Sequence, residues 1–188
     1  VQILDSPITE WIVNWASRNI LLTTKPSGSY EGISFGLNTR EGKLREVLDD
    51  KRGLVSISNN DGTYILFSEN VSNDVVTSVY DTEQKEVKEL NIKTFADKCV
   101  WSQNEALVVY CAVPQNLNRG DYPDLWYQGR ASFNDALYRV DLDTDSVQKL
   151  EGLAGEFDII DLQLSPKDDY ITFINKKDLT LWSLDIKQ

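Results

Sequence analysis

The sequence contains neither histidine nor methionine among its 188 residues. Without histidine the chain lacks the usual general base and the commonest transition-metal ligand, so we expect no metal, no cofactor and no enzyme. Long apolar runs are also missing, and none approaches the roughly 20 residues of a membrane-spanning helix. We therefore expect no direct insertion of this chain into a membrane.

Positive charge is scarce: the sequence has 19 Lys and Arg residues and 30 Asp and Glu residues, which gives a net charge of −11. Nucleic acids and anionic membrane surfaces both attract clustered Lys and Arg, so neither is an expected partner. The simplest interpretation of the acidic balance is that charged loops keep a strand-rich protein soluble.

Four segments repeat one pattern, in which a bulky apolar residue precedes a polar turn and a β-rich run. That residue is Trp15, Ile57, Trp101 or Leu164, at spacings of 42, 44 and 63 residues. A second marker, in the turn after the third strand of each unit, gives spacings of 43, 62 and 42. Both markers place one insertion of about 20 residues in the third unit.

Four short strands in each repeat of this length are typical of a β-propeller blade. We predict an all-β fold, a β-propeller with four four-stranded blades in a single domain, 1–188. The blades cover approximately 9–49, 53–91, 95–151, and 156–188 plus 1–5, with an insertion at 114–134. The N-terminal strand would then complete the last blade and close a four-bladed ring. Alternatively, the chain is a sector of a larger propeller.

Three tryptophans fall at equivalent strand positions of the repeats: Trp15, Trp101 and Trp182. Large aromatic side chains bury much apolar area. We predict that all three pack in the core between blades.

The segments "ISNNDGTYILFS", "LSPKDDYITFI" and "LTLWSLD" resemble the repeats of bacterial WD-like, TolB-type propellers. The segments "CVWSQNEALVVYCAVP" and "YPDLWYQG" are similar to parts of uncharacterised membrane-anchored propeller proteins. The resemblance implies a binding or scaffold protein, often outside the bacterial cytoplasm.

Cys99 and Cys111 are the only two cysteines. They flank a predicted hairpin centred on residue 105, which sets them directly opposite each other, on the face that Trp101 and Val109 share. Directly opposed residues of this kind have Cα atoms about 4.5 Å apart, close enough for a disulfide. A disulfide would place the protein in an oxidising compartment. The alternative is a pair of buried free thiols.

The insertion carries the candidate binding residues. Tryptophan, tyrosine and arginine are enriched at the centres of binding interfaces, so we predict recognition of a protein, peptide or glycan partner. The alternative is that the rings fold back as a lid over a blade edge or the central channel. The candidates are Arg119, Tyr122, Trp126, Tyr127, Arg130 and Phe133.

We expect a non-catalytic binding or scaffold module outside the cytoplasm, in the periplasm or at the cell surface. Because no methionine starts the chain, we expect a tethering N-terminal segment absent from this sequence. The alternative function is a glycan-acting propeller enzyme that uses carboxylates on the propeller face, one of them with a raised pKa. A further hypothesis is self-association into a larger propeller.

Overall fold

The computed structural model describes residues 7–17 and 19–187, and fifteen strands in this part of the chain form four antiparallel sheets. Each sheet is a propeller blade, and its strands follow one another in chain order. A 3-10 turn lies at Ala96–Lys98, and a single helical turn, α1, lies at Asp124–Tyr127. The strands are β1 (Trp11–Ala16), β2 (Asn19–Thr24), β3 (Glu31–Asn38) and β4 (Lys43–Arg52) in blade 1; β5 (Val55–Ser58), β6 (Tyr64–Val71), β7 (Asp74–Asp81) and β8 (Glu86–Glu89) in blade 2; β9 (Cys99–Trp101), β10 (Val108–Pro114), β11 (Asp135–Asp141) and β12 (Ser146–Lys149) in blade 3; and β13 (Ile159–Leu164), β14 (Tyr170–Asn175) and β15 (Thr180–Asp185) in blade 4.

The predicted all-β propeller with four blades is confirmed. Blades 1 to 3 have four strands each, and the described part of blade 4 has three. The predicted closure of blade 4 by residues 1–5 lies outside the described residues. The predicted insertion at 114–134 corresponds to the connection between β10 and β11, and Pro114 is the last residue of β10.

Polar and glycine residues in the turns determine how the strands of a hairpin pair. In blade 2, Asn59 Oδ1 accepts hydrogen bonds from the backbone N–H groups of Gly62 and Tyr64, at 3.1 and 3.0 Å. Gly62 has a φ of +83°, a conformation that glycine adopts without steric cost. This turn fixes the register in which Ile57 lies opposite Leu66.

The core lies between the blades, because alternate side chains of each sheet point to opposite neighbours. Leu48 and Phe67 belong to the cluster between blades 1 and 2, and Ile171 belongs to the one between blades 3 and 4. Cys99 and Cys111 lie in the cluster between blades 2 and 3, where they are directly opposed and disulfide-bonded. The predicted disulfide is confirmed.

The prediction for the three tryptophans is correct only for Trp101. Trp101 is buried against blade 2, where its Nε1 donates to the carbonyl of Ile57 at 3.4 Å. Trp15 is exposed because it lies on the side of blade 1 that faces away from blade 2. Trp182 contacts Phe157 edge-on but lies on the outer strand of its blade, so much of its ring remains exposed.

Candidate functional site

Residues 115–134, which we call the lid, cross from blade 3 to the loops of the other three blades. On blade 2, Asn70 Nδ2 donates to the carbonyls of Gly120 and Tyr122, at 2.9 and 3.1 Å. On blade 4, Lys176 Nζ donates to the carbonyl of Trp126. The lid thus covers the side of the propeller where the second and third strands of each blade connect.

Two glycines allow the lid to approach blade 1 and the connection to blade 2. A Cβ added at Gly28 would lie 2.1 Å from Asp121 Oδ1, and one added at Gly53 would lie 2.5 Å from the carbonyl oxygen of Tyr122. Gly53 also has a φ of +64°, which disfavours any larger residue. Backbone contacts of this kind fit a lid packed in one position.

The inner side of the lid is an aromatic cluster. Tyr122, Trp126 and Phe133 are buried together with Phe95, which precedes the 3-10 turn, and Val75 of β7. The rings of Phe95 and Trp126 stack with their centroids 5.3 Å apart. Three of the six candidate binding residues therefore hold the lid in place, with their side chains directed away from solvent.

The other three candidates face solvent. Arg119, Tyr127 and Arg130 are exposed on the outer side of the lid. The Tyr127 hydroxyl donates to Asp97 Oδ2 at 2.6 Å, and its ring lies 5.3 Å from that of Trp126. Tyr127 is therefore held in one orientation although its ring is accessible.

A buried cation lies beneath the lid. Lys98 Nζ donates to Asp135 Oδ2 at 2.6 Å, to Asp158 Oδ1 at 2.9 Å and to the carbonyl of Ile159 at 2.9 Å. The same ammonium lies 4.5 Å from the centre of the Trp126 ring. All three N–H groups of the ammonium therefore have acceptors. Through these bonds Lys98 links the start of blade 3 to the starts of β11 and β13.

Asp158 connects this cation to the lid. Its carboxylate accepts hydrogen bonds from Trp126 Nε1 at 2.9 and 3.1 Å, from Ser132 Oγ at 3.0 Å and from the backbone N–H of Phe133 at 3.2 Å. Burial alone would raise the pKa of Asp158, but the Lys98 ammonium and the hydrogen bonds from Phe133 and Trp126 hold it below the ordinary value. Asp158 is therefore ionised at neutral pH.

Two other carboxyls near the lid have a pKa that is raised, not lowered. Burial raises the pKa of Asp135 above the ordinary value despite Lys98, and burial raises the pKa of Asp97 despite the hydrogen bond from Tyr127. The Oδ1 atoms of Asp97 and Asp135 are enclosed and have no hydrogen-bond partner within the described part of the chain. An enclosed acceptor without a donor disfavours the ionised form.

The cluster of acids with one raised pKa matches the pattern expected of the alternative, a glycan-acting enzyme. The side chains of Lys98, Asp135 and Asp158 are, however, completely enclosed. A substrate could not touch these carboxylates while the lid is in place, so their chemistry is structural. Within residues 7–17 and 19–187, no group of three or more acidic or cysteine side chains is arranged to hold a metal ion.

The Lys98 cluster was not predicted from the sequence. Lys98 and Asp158 stand immediately before buried strands and Asp135 is the first residue of one, in "ADKCVW", "FDII" and "NDALY". Charged residues at the start of an apolar strand are a signal that could have drawn attention to them, because buried charges must be paired. Their convergence from segments 37 and 60 residues apart is visible only in three dimensions.

Solved structures match this architecture. TolB from Acinetobacter baumannii has a TM-score of 0.69 and 16% sequence identity, and the match covers 98% of this chain and 43% of that one. A protein assigned to TolB from Agrobacterium tumefaciens has a TM-score of 0.67 and 13% identity, with coverage of 98% and 61%. A chain of a mitotic checkpoint complex has a TM-score of 0.63 and 12% identity, with coverage of 98% and 50%.

These matches show that the chain has the fold of the TolB-type β-propellers. At such low identities the likeness concerns the fold alone, and propellers serve many functions. The chain spans about half the length of the solved structures that it matches. No family model and no curated protein matches the sequence. No helix among the described residues has the length and hydrophobicity that a membrane span requires.

Proposed function

We propose that this chain is a non-catalytic binding or scaffold module that recognises a protein, peptide or glycan through the outer side of the lid. The observation that carries the proposal is the division of the lid into two sides. Buried rings fix the inner side, and Arg119, Tyr127 and Arg130 are exposed on the outer side. Nucleic acid is not among the proposed partners, because the net charge is −11.

Rigidity supports a binding role for the outer side. A surface that is already ordered loses little conformational entropy on binding, so more of the contact energy contributes to affinity. Tyr127 is oriented by Asp97, and the backbone beside it is held by Lys176. Arginine and tyrosine on such a surface are the residue types that dominate binding energy at interfaces.

The disulfide supports a location outside the cytoplasm. Cys99 and Cys111 are joined within the core between blades 2 and 3, where a reductant has little access. Disulfides persist in the periplasm and at cell surfaces and are rare in reducing compartments. We propose one of these two locations for the module.

The test is retention of partners from native membrane and cell-wall extracts on the immobilised chain. The informative variant is the triple change Arg119→Ala, Tyr127→Ala and Arg130→Ala. Its matched control is Arg40→Ala with Arg45→Ala, two exposed arginines of blade 1 that lie away from the lid. A partner retained by the wild type and the control but lost by the triple variant supports the proposal. Equal retention by all three proteins would show that the outer side of the lid is not the binding surface.

Trp126 is unsuitable for this test, although it was among the candidates. Its side chain packs on Phe95 and donates to Asp158, so its removal would disturb the fold itself. A loss of binding in Trp126→Ala would therefore not separate recognition from misfolding.

A further inference from the structure

A cleft lies between blades 1 and 2, at the end of the propeller opposite the lid. Its volume is about 450 Å³, within the range of pockets that hold small molecules. The hairpin connections β1–β2, β5–β6 and β7–β8 border it, whereas the lid lies over the connections between second and third strands. Leu21 of blade 1 and Ile65 of blade 2 line the cleft and belong to one buried cluster, so the core fixes both walls.

A glycine in the middle of one wall leaves this space open. In the register of blade 1, Gly36 lies between Leu21 and Arg45, on the face that packs toward blade 2. A Cβ added at Gly36 would have one neighbour within 4 Å among the described residues, Val47 Cγ2 at 3.4 Å. Any other residue at this position would therefore place its side chain in the cleft.

The backbone does not require glycine at position 36. A glycine inside a strand weakens it and commonly marks a bulge or the close approach of another backbone or of a ligand. The register shifts of β3 precede Phe35, so Gly36 pairs regularly with both neighbouring strands, and it is not among the glycines with a positive φ. Gly32, in the same strand, is explained by packing, since a Cβ there would lie 3.0 Å from Leu54 Cβ. Of these reasons, only a ligand remains for Gly36.

Both walls of the cleft carry a cation. Lys43 and Arg45 stand two residues apart in β4 and point to the side of the sheet that the glycine shares, and Lys85 comes from the β7–β8 turn of blade 2. Glu46 follows Arg45 in the strand and points to the other face. Lys43 pairs with Glu41 at 3.3 Å, whereas Arg45 and Lys85 form no ion pair within the described part of the chain. Two cations without a partner, in a protein with a net charge of −11, favour an anion from outside.

The corresponding gap between blades 2 and 3 differs in its charges. Lys88 lines that gap, donates to the carbonyl of Leu142 at 3.0 Å and pairs with Asp145, so this cation links the two blades. Asp81 and Glu86 also line the gap, and their carboxylates would repel an anion. The cleft between blades 1 and 2 is the one of these two gaps in which cations are left for a ligand.

We propose that this cleft binds a small organic anion, in which a carboxylate or phosphate group is attached to an apolar body. The acidic group contacts Arg45 and Lys85, and the guanidinium can donate two parallel hydrogen bonds to either kind of group. The apolar body occupies the space in front of Gly36 and lies against Val47 and Tyr80, two half-buried side chains of the walls. Because the cleft and the lid are at opposite ends of the propeller, this site does not depend on the function of the lid.

The first experiment titrates the isotope-labelled chain with phenylacetate and with phenyl phosphate and follows the backbone amide signals by nuclear magnetic resonance. We expect saturable changes at Gly36 and Tyr80 at millimolar concentration, and the anion that binds more tightly identifies the acidic group. Phenylacetamide lacks the charge and inorganic phosphate lacks the ring, so each should bind roughly 10-fold more weakly, or weaker still. No saturable change with either aromatic anion, or equal affinity for phenylacetamide or inorganic phosphate, overturns the proposal.

The second experiment fills the cleft with Gly36→Val. The added Cβ has room and valine favours strands, so the variant should unfold in urea no earlier than the wild type. It should nevertheless weaken binding of the preferred anion roughly 10-fold or more, because the side chain takes the place of the apolar body. A folded Gly36→Val protein that binds as the wild type does contradicts the assignment of the site.

The third experiment removes the charges with Arg45→Gln and Lys85→Gln together, two exposed changes that decide the question even if Gly36→Val does not fold. The matched control is Lys149→Gln with Lys167→Gln, which removes two exposed cations of blades 3 and 4. The first pair should weaken binding roughly 10-fold or more, and the control should bind as the wild type does. Equal losses in both pairs would show a general attraction of anions and would overturn the proposal.

Discussion

Replacing Lys98 by methionine tests whether the buried charge cluster holds blades 3 and 4 and the lid together. The substitution keeps an unbranched side chain of similar length and removes the ammonium. It deletes the hydrogen bonds of 2.6 and 2.9 Å to Asp135 and Asp158 and that of 2.9 Å to the carbonyl of Ile159. Removing one partner of an enclosed ion pair typically costs roughly 3–5 kcal/mol, because the remaining charge is left buried without compensation.

The assay is equilibrium unfolding in urea, followed by tryptophan fluorescence. We expect Lys98→Met to lower the free energy of unfolding by about 3–5 kcal/mol at neutral pH. The matched control is Lys25→Met, which removes an ion pair of 3.0 Å to Glu10 at a solvent-exposed site. Exposed ion pairs contribute about 0–1 kcal/mol to stability. Because the ion-pair distances are similar at the two sites, the difference between the two variants reports the effect of burial.

The pH dependence of the same variant provides a second check. In the wild type the pKa of Asp158 is below its ordinary value, so Asp158 contributes stability that is present above the ordinary carboxyl pKa and lost as the pH falls through the folded-state value. In Lys98→Met the carboxylates lose their cation and gain protons more readily. The defect should therefore be largest at neutral pH and shrink in acid. A loss below about 1 kcal/mol, or a defect independent of pH, would refute the reasoning.

Three further predictions concern the disulfide, Asp97 and the lid. Replacing both Cys99 and Cys111 by alanine should lower stability by roughly 3 kcal/mol, because the bond closes a loop with a separation of 12 residues; an unchanged melting temperature would contradict this. Asp97→Asn should be more stable than the wild type at neutral pH, because the folded-state pKa of Asp97 is raised and the wild type loses stability as the pH rises through that value. In urea unfolding, the free energies of unfolding of the two proteins should become equal in acid. A difference that does not change with pH would contradict this cause. Trp126→Ala should cost roughly 3–5 kcal/mol and make the lid a site of proteolysis, whereas Tyr127→Ala should change both far less.

The architecture could be predicted because it depends on short-range patterns. The spacing of the repeats, and the polar turn that precedes the β-rich run in each of them, are patterns within a single blade. The register of the β9–β10 hairpin also follows from the position of its turn, which is why the pairing of Cys99 with Cys111 could be derived. Local chemistry was enough for these features.

The burial of individual anchor residues could not be predicted from the same patterns. The repeat alignment treated Ile57 as equivalent to Trp101, but in the structure Trp101 faces the preceding blade and Ile57 packs toward the following one. A shift of one residue in a strand exchanges the two faces of the sheet. Trp15 was expected to be buried because its repeat position matches, yet burial depends on a neighbouring blade and not on the position alone.

The insertion posed a choice between a lid and a recognition loop, and the structure makes these roles compatible. A long loop pays conformational entropy when it binds, unless its own side chains already order it. In the lid, Trp126 orders the loop through two sets of contacts: it packs on Phe95 and donates hydrogen bonds to Asp158. The adjacent Tyr127 lies on the same helical turn, and its ring is partly exposed to solvent while its hydroxyl donates to Asp97. If the module binds a partner through the lid, the buried half of the predicted set should govern the stability of the binding surface, and the exposed half should govern its specificity.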